Sequence, residues 1–156
     1  MRLNVQTDYA LRVLMYVVLR DGALVKMGDI ASDYGISHNH LTKVVHRLAT
    51  LGYLRTVQGR HGGMCLAKPA EKIRVGDVVR DFEPDFFLVE CLEKTTSHCR
   101  IQQVCVLQDV LHDAIEDFMS RLDQVTLATL VRPSRKLQKL LDLPIKRIAV
   151  DVQAPV

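Results

Sequence analysis

The sequence predicts a mainly α-helical fold interrupted by one small β hairpin and followed by a long separate helix. Apolar residues recur at three- and four-residue steps through much of the chain, as in helices with one buried face. Two short extended runs flank the glycine-rich stretch 58–63, the pattern of a hairpin. Aromatic residues make up only 5% and Trp is absent, which also points toward helix. The 156 residues suffice for one compact domain plus an appended element.

The first helix follows from Leu11, Leu14, Met15 and Val18, with Thr7 as the expected N-cap and Asp21-Gly22 as the stop. After a short extended stretch, Leu24 to Lys26, a second helix is expected over Met27 to Tyr34. Gly35 then turns the chain, Ser37 caps, and a third helix runs from His38 to about Leu51. Small Ala31, with Gly35 four residues later, suits the close approach of a helix-turn-helix. Ile36, Leu41, Val44, Val45 and Leu48 then face inward. The outward face carries His38, Asn39, His40, Lys43, His46 and Arg47, polar and basic groups able to read the major groove. Any amphipathic helix has a polar outer face, so this feature needs company.

The hairpin supplies it. Tyr53 to Val57 and Met64 to Ala67 read as strands joined by Gln58-Gly59-Arg60-His61-Gly62-Gly63. Glycine lets backbone approach phosphates, and Arg60 beside His61 can enter a narrow minor groove. Helix, turn, helix, strand, basic tip, strand is the order of a winged helix-turn-helix DNA-binding domain. Pro69 closes the hairpin and a short helix is expected over Val75 to Phe82. From Cys105 onward, Leu107, Val110, Leu111, Ala114, Ile115, Phe118, Leu122 and Val125 mark a long amphipathic helix. It is read as a dimerisation helix, because two heads related by a two-fold read a pseudo-palindrome. Packing back on its own head is the alternative. Residues 133–156, with three prolines and several basic groups, are expected to form a partly disordered tail.

The net charge of +3 conceals a division along the chain. Residues 1–80 hold twelve Lys/Arg against six Asp/Glu, whereas residues 81–126 hold three against ten. A basic first half suits a polyanion partner. The apolar run Val13 to Leu19 is far below membrane-spanning length, and Arg2, Asp8 and Arg12 do not suit a signal peptide. A cytoplasmic protein without membrane attachment is expected.

Cys91, Cys99 and Cys105 stand as C-x7-C-x5-C in a stretch with little apolar periodicity. Thiolates are soft ligands for iron–sulfur clusters or zinc. Zinc sites favour closely spaced pairs, and none occurs here, so the spacing favours an iron–sulfur cluster. Plain core cysteines are the other reading, opposed by the polar neighbours Glu90, Glu93, Lys94, Ser97, His98 and Arg100. Three thiolates leave a cubane one ligand short, with Glu90, Glu93, His98, Asp8, Cys65 and the histidines of the head as candidates. Cys65, between Met64 and Leu66, reads first as a small buried strand residue.

Residues 1–3 with 7–12, the wing 59–63 followed by 66–70, the stretch 73–79 and the three cysteines together resemble the winged-helix iron–sulfur regulators typified by IscR, RirA and NsrR. The resemblance covers nearly the whole chain to about Val131. Within it, 39–45, 76–84 and 122–128 are most similar to the nitric-oxide-sensing NsrR branch. That resemblance implies a homodimeric repressor of double-stranded promoter DNA whose cluster, 4Fe-4S ahead of 2Fe-2S, takes its fourth ligand from Asp8 of the partner subunit. In IscR-like chains a His just past the third cysteine is the ligand, and Val106 and Leu107 occupy that place here. The implied DNA-contacting set is Ser37, His38, Asn39, His40, Lys43, Arg47, Arg60 and His61. Nitric oxide would attack at the carboxylate-bound iron, where ligand and metal match least well.

The expected organisation is a DNA-binding domain over 1–82, a cluster loop over 83–104, a dimerisation region over 105–132 and a tail over 133–156. A RirA-like iron-availability regulator is the nearest alternative, and a small iron–sulfur redox carrier the alternative of another class. No catalytic constellation or dinucleotide glycine motif is present, so no enzyme is expected.

Overall fold

A computed structural model describes residues 2–20, 22–93, 97–132 and 134–143. It is mostly helical with one two-stranded antiparallel sheet. Helix α1 spans Val5–Leu19. Its N-cap is Asn4, whose side chain accepts from the Gln6 N–H at 2.9 Å, not Thr7 as expected. Thr7 is fully buried, and its hydroxyl donates to the Glu83 carboxylate. A polar residue that finds a buried partner 76 positions away is taken from the cap by tertiary packing.

Helices α2 (Met27–Tyr34) and α3 (His38–Thr50) follow as expected. Gly35 takes the left-handed conformation (φ 62°) that closes α2. Ser37 Oγ then accepts the His40 N–H at 3.4 Å and opens α3. Ile30, Ile36, Leu41, Val44, Val45 and Leu48 fill the space between these helices and α1. Strands β1 (Leu54–Val57) and β2 (Gly63–Leu66) pair from Leu54↔Leu66 to Val57↔Gly63. Val25 adds one bridge to Met64 on the far side of β2. At Gly63 a Cβ would lie 2.7 Å from the Val25 carbonyl oxygen, so only glycine admits that bridge.

Helix α4 spans Val75–Phe82, as expected, and buries Val75, Gly76, Val78, Val79 and Phe82. Helix α5 spans Val106–Asp123, about 27 Å at 1.5 Å per residue. Its two ends behave differently. Met119, with Ile115, Phe118 and Leu122, joins Val75 and Val79 of α4 in a second small core. Toward its start Val106, Leu107 and Val110 are 73%, 61% and 56% exposed. Among the described residues, apolar self-packing is therefore concentrated at the distal end.

The chain then returns along α4, with Val75 N–H donating to Val125 O and Leu127 N–H to Ile73 O, both at 2.8 Å. Short helices α6 (Leu127–Leu130) and α7 (Ser134–Leu140) close the fold. Helix α7 falls where only a tail was expected. Gln138 is fully buried and donates to the Leu19 carbonyl at 3.2 Å, and Leu143 is buried beside it. The rest of the expected tail, 144–156, lies outside the described residues. Among the described residues no helix is long and apolar enough to cross a membrane.

Candidate functional site

Two surfaces hold the residues singled out from the sequence. On α3, Ser37, His38, Asn39, His40 and Lys43 are all exposed around the first two turns, a polar end displayed by a rigid helix. The His40 ring lies 6.0 Å from that of Tyr9 on α1. Thr42 bonds back to the His38 carbonyl at 2.8 Å, which leaves the helix face to its longer neighbours. Lys43 forms no ion pair among the described residues.

Arg47 departs from expectation. It is exposed, yet its guanidinium donates to the Asp81 carbonyl and sits 4.8 Å from the centroid of the Phe82 ring. Both contacts tie α3 to the end of α4. The residues on that side are Asp81, Phe82, Glu83, Tyr53 and Thr7, and nothing in the local sequence announces that they are one another's partners.

At the hairpin tip Arg60 and His61 are exposed, and Arg60 has no ion pair among the described residues. Gly59 has φ 106°, and its carbonyl accepts the Gly62 N–H at 2.9 Å. A Cβ on Gly62 would stand 2.2 Å from the Val57 carbonyl oxygen, so this turn requires glycine. The tip is thus a fixed loop that presents one cation, a geometry suited to a phosphate or a groove.

The second surface is the loop between α4 and α5. Cys91 is buried in a single 3-10 turn, Glu90–Leu92, whereas Cys99 and Cys105 are partly exposed. Gln102 and Gln108 both donate to the Cys91 carbonyl, at 3.0 and 3.1 Å, and so tie this turn to the start of α5. The Cys99 N–H donates to Ser97 Oγ at 3.3 Å, and Cys105 is the residue from which α5 starts. All four cysteines are free thiols. The donor set fits a soft metal centre: three reduced thiols in one loop, two of them reachable from solvent. Among the described residues, however, no three His, Cys, Asp or Glu side chains converge as a metal site.

Asp8 lies in the first turn of α1, next to buried Thr7 and itself partly exposed. Its carboxylate accepts from Arg12 Nε at 3.0 Å and from Nη2 at 2.9 Å. Cys65 is buried in β2, as expected for a strand residue, with Arg55 Nη2 3.7 Å from its sulfur. Burial, and then a hydrogen bond to Asp81, raises the Tyr53 hydroxyl well above the ordinary tyrosine range, so it remains a donor at any physiological pH.

Comparison with known proteins adds the family context. The family described as "Rrf2: Iron-dependent Transcriptional regulator" matches residues 3–133. The HTH-type transcriptional regulator NsrR of Bacillus licheniformis is 42% identical over 142 residues, covering 90% of this chain and 99% of that relative. The regulator of the same name from Bacillus subtilis strain 168 is 43% identical over 144 residues, covering 92% and 99%. Among solved structures, T. potens IscR has a TM-score of 0.70 at 22% identity, over 88% of this chain and 91% of that one. At that identity the likeness concerns the fold.

Proposed function

The chain belongs to the Rrf2 family of transcriptional regulators, and on that premise we propose that it is a dimeric repressor whose cysteine loop holds a nitric-oxide-sensitive iron–sulfur cluster. One observation carries the proposal: three free thiols sit in the single loop that joins the winged head to the half-exposed helix α5. Cys91, Cys99 and Cys105 would hold the cluster, with Asp8 of the partner subunit as the fourth ligand. When bound, the cluster supplies iron open to attack by nitric oxide.

The protein's own groups account for the remainder. Ser37, His38, Asn39, His40 and Lys43 would meet base edges and phosphates in the major groove, and Arg60 with His61 would meet the minor groove from the wing. The exposed start of α5 would pair with its copy and set the spacing of the two heads. Arg12 holds the Asp8 carboxylate within its own chain, so that group would have a partner whether or not it served as a ligand. A few kcal/mol of coupling between cluster and head is enough: a hundredfold change in affinity corresponds to about 2.7 kcal/mol. The repressor would act in the cytoplasm, where promoter DNA is found.

The family description, iron-dependent, favours a second reading in which cluster loss reports iron scarcity. One experiment separates the two. Anaerobically purified protein, wild type beside Asp8→Ala and Cys99→Ala, is examined by absorbance and used to select a duplex from random-sequence DNA. Binding to that duplex is then followed during titration with nitric oxide or with an iron chelator. The proposal expects Cys99→Ala to lack the cluster spectrum and nitric oxide to release the wild type. Unchanged affinity under nitric oxide, with release by chelator alone, would give the site to iron sensing. Tight duplex binding by colourless, iron-free protein would leave the cysteines as a thiol switch.

A further inference from the structure

The last turn of α4 gathers contacts from three other parts of the head within three consecutive residues. The Asp81 carbonyl accepts from Arg47 of α3, and the Asp81 carboxylate accepts from the Tyr53 hydroxyl at the root of the wing. The Phe82 ring is 1% exposed and lies beneath the Arg47 guanidinium. One oxygen of Glu83 accepts both the Thr7 hydroxyl and, at 2.9 Å, the Asn4 N–H, so it holds the first turn of α1. The turn is itself closed by Glu83 N–H donating to Val79 O at 2.9 Å.

Its neighbours in sequence give this arrangement a consequence. Thr7 precedes Asp8, and the two side chains have different partners, Glu83 for one and Arg12 for the other. Glu83 is in turn followed by the loop that leads to Cys91. A displacement of the α1 first turn, or of the loop, must therefore move Glu83. Because a hydrogen-bonded helical turn is stiff, Asp81 and Phe82 move with it, and Arg47 and Tyr53 follow.

We infer that Asp81, Phe82 and Glu83 form a positioning clip that transmits the state of the Asp8 turn to the recognition helix α3, through Thr7 on one side and Arg47 and Tyr53 on the other. This rests on the reading above that the cysteine loop governs DNA binding. It makes Arg47 a strut within the head and removes it from the base-reading set.

The test uses the full chain as wild type, Thr7→Val, Thr7→Ser and Tyr53→Phe. In cluster-free protein, amide hydrogen exchange is read along α3 and normalised to α2, so that a uniform loss of global stability cancels. Thr7→Val is expected to speed exchange in α3 about tenfold although Thr7 has no hydrogen bond to that helix, and Thr7→Ser to restore it. Coupling is reciprocal, so Tyr53→Phe is expected to speed the Asn4 and Asp8 amides. In cluster-loaded protein of unchanged absorbance, Thr7→Val is expected to lower the loaded-to-free ratio of duplex affinities by about fivefold or more.

Exchange that changes in α1 alone, with α3 and the affinity ratio as in wild type, overturns the clip. If wild type binds the duplex equally well loaded and free, the repressor reading fails, and the exchange measurements still decide the clip. Should Thr7→Val not fold, the Tyr53→Phe arm and a Glu83→Gln variant read the same coupling.

Discussion

Gly76 shows how a single residue sets the junction between head and long helix. A Cβ there would lie 2.0 Å from an Asp123 carboxylate oxygen, and Arg80 grips that carboxylate through two hydrogen bonds of 2.7 and 2.6 Å. The Arg80 guanidinium holds the Asp123 carboxyl below its ordinary range. The pair is partly solvated, with side chains 43% and 28% exposed, so its loss costs little. Alanine in place of helical glycine returns up to about 1 kcal/mol. Gly76→Ala alone is therefore expected to leave stability nearly unchanged. In an Asp123→Ala background, where the clash is gone, the same change should stabilise by about 0.5–1 kcal/mol. Urea denaturation of the four proteins checks this, and strict additivity would refute it. Thr7 teaches the same lesson from the other side. Its type suited a cap, but its role was decided by Glu83, which nothing local announces.

At the scale of elements, the helix-turn-helix and wing were legible because their signals are local. Gly35, Ser37 and the apolar spacing of α3 act within one or two turns of chain, and α2 and α3 fall where those signals put them. The wing glycines are equally local, since Gly62 is required by the Val57 carbonyl beside it. Removing the wing's cation tests its assignment: Arg60→Ala is expected to weaken duplex binding and reduce the salt slope of log K by about one. A salt slope equal to that of wild type would place Arg60 away from DNA. Helix α7 was not legible, because prolines and basic residues around it imitate a tail. What holds it is Gln138 reaching the Leu19 carbonyl, a contact 119 residues apart in sequence.

At the scale of the molecule, α5 divides its apolar residues between two duties. The distal set is taken up by α4, whereas Val106, Leu107 and Val110 have no cover among the described residues. An exposed stripe at helical spacing is what a two-fold partner would bury. Leu107→Asp with Val110→Asp is expected to leave the fold intact by circular dichroism and to shift sedimentation equilibrium from dimer to monomer. Duplex affinity should fall at least about a hundredfold, as one head reaches only one half-site. A double variant that stays dimeric would assign the stripe another role.

The order of helices α1 to α5, the wing, the division of charge and the grouping of three thiols in one loop were all determined by the sequence alone. Each follows from properties that neighbouring residues possess together: periodicity, turn chemistry and spacing. Tertiary structure decided the partners of polar groups that could have served several ends. It gave Thr7 to Glu83, Arg47 to the end of α4, and Gln138 to α1. A buried polar group takes whichever partner the packed fold brings within 3 Å or so, since leaving it unpaired costs about 1–3 kcal/mol, and that choice is made across the chain.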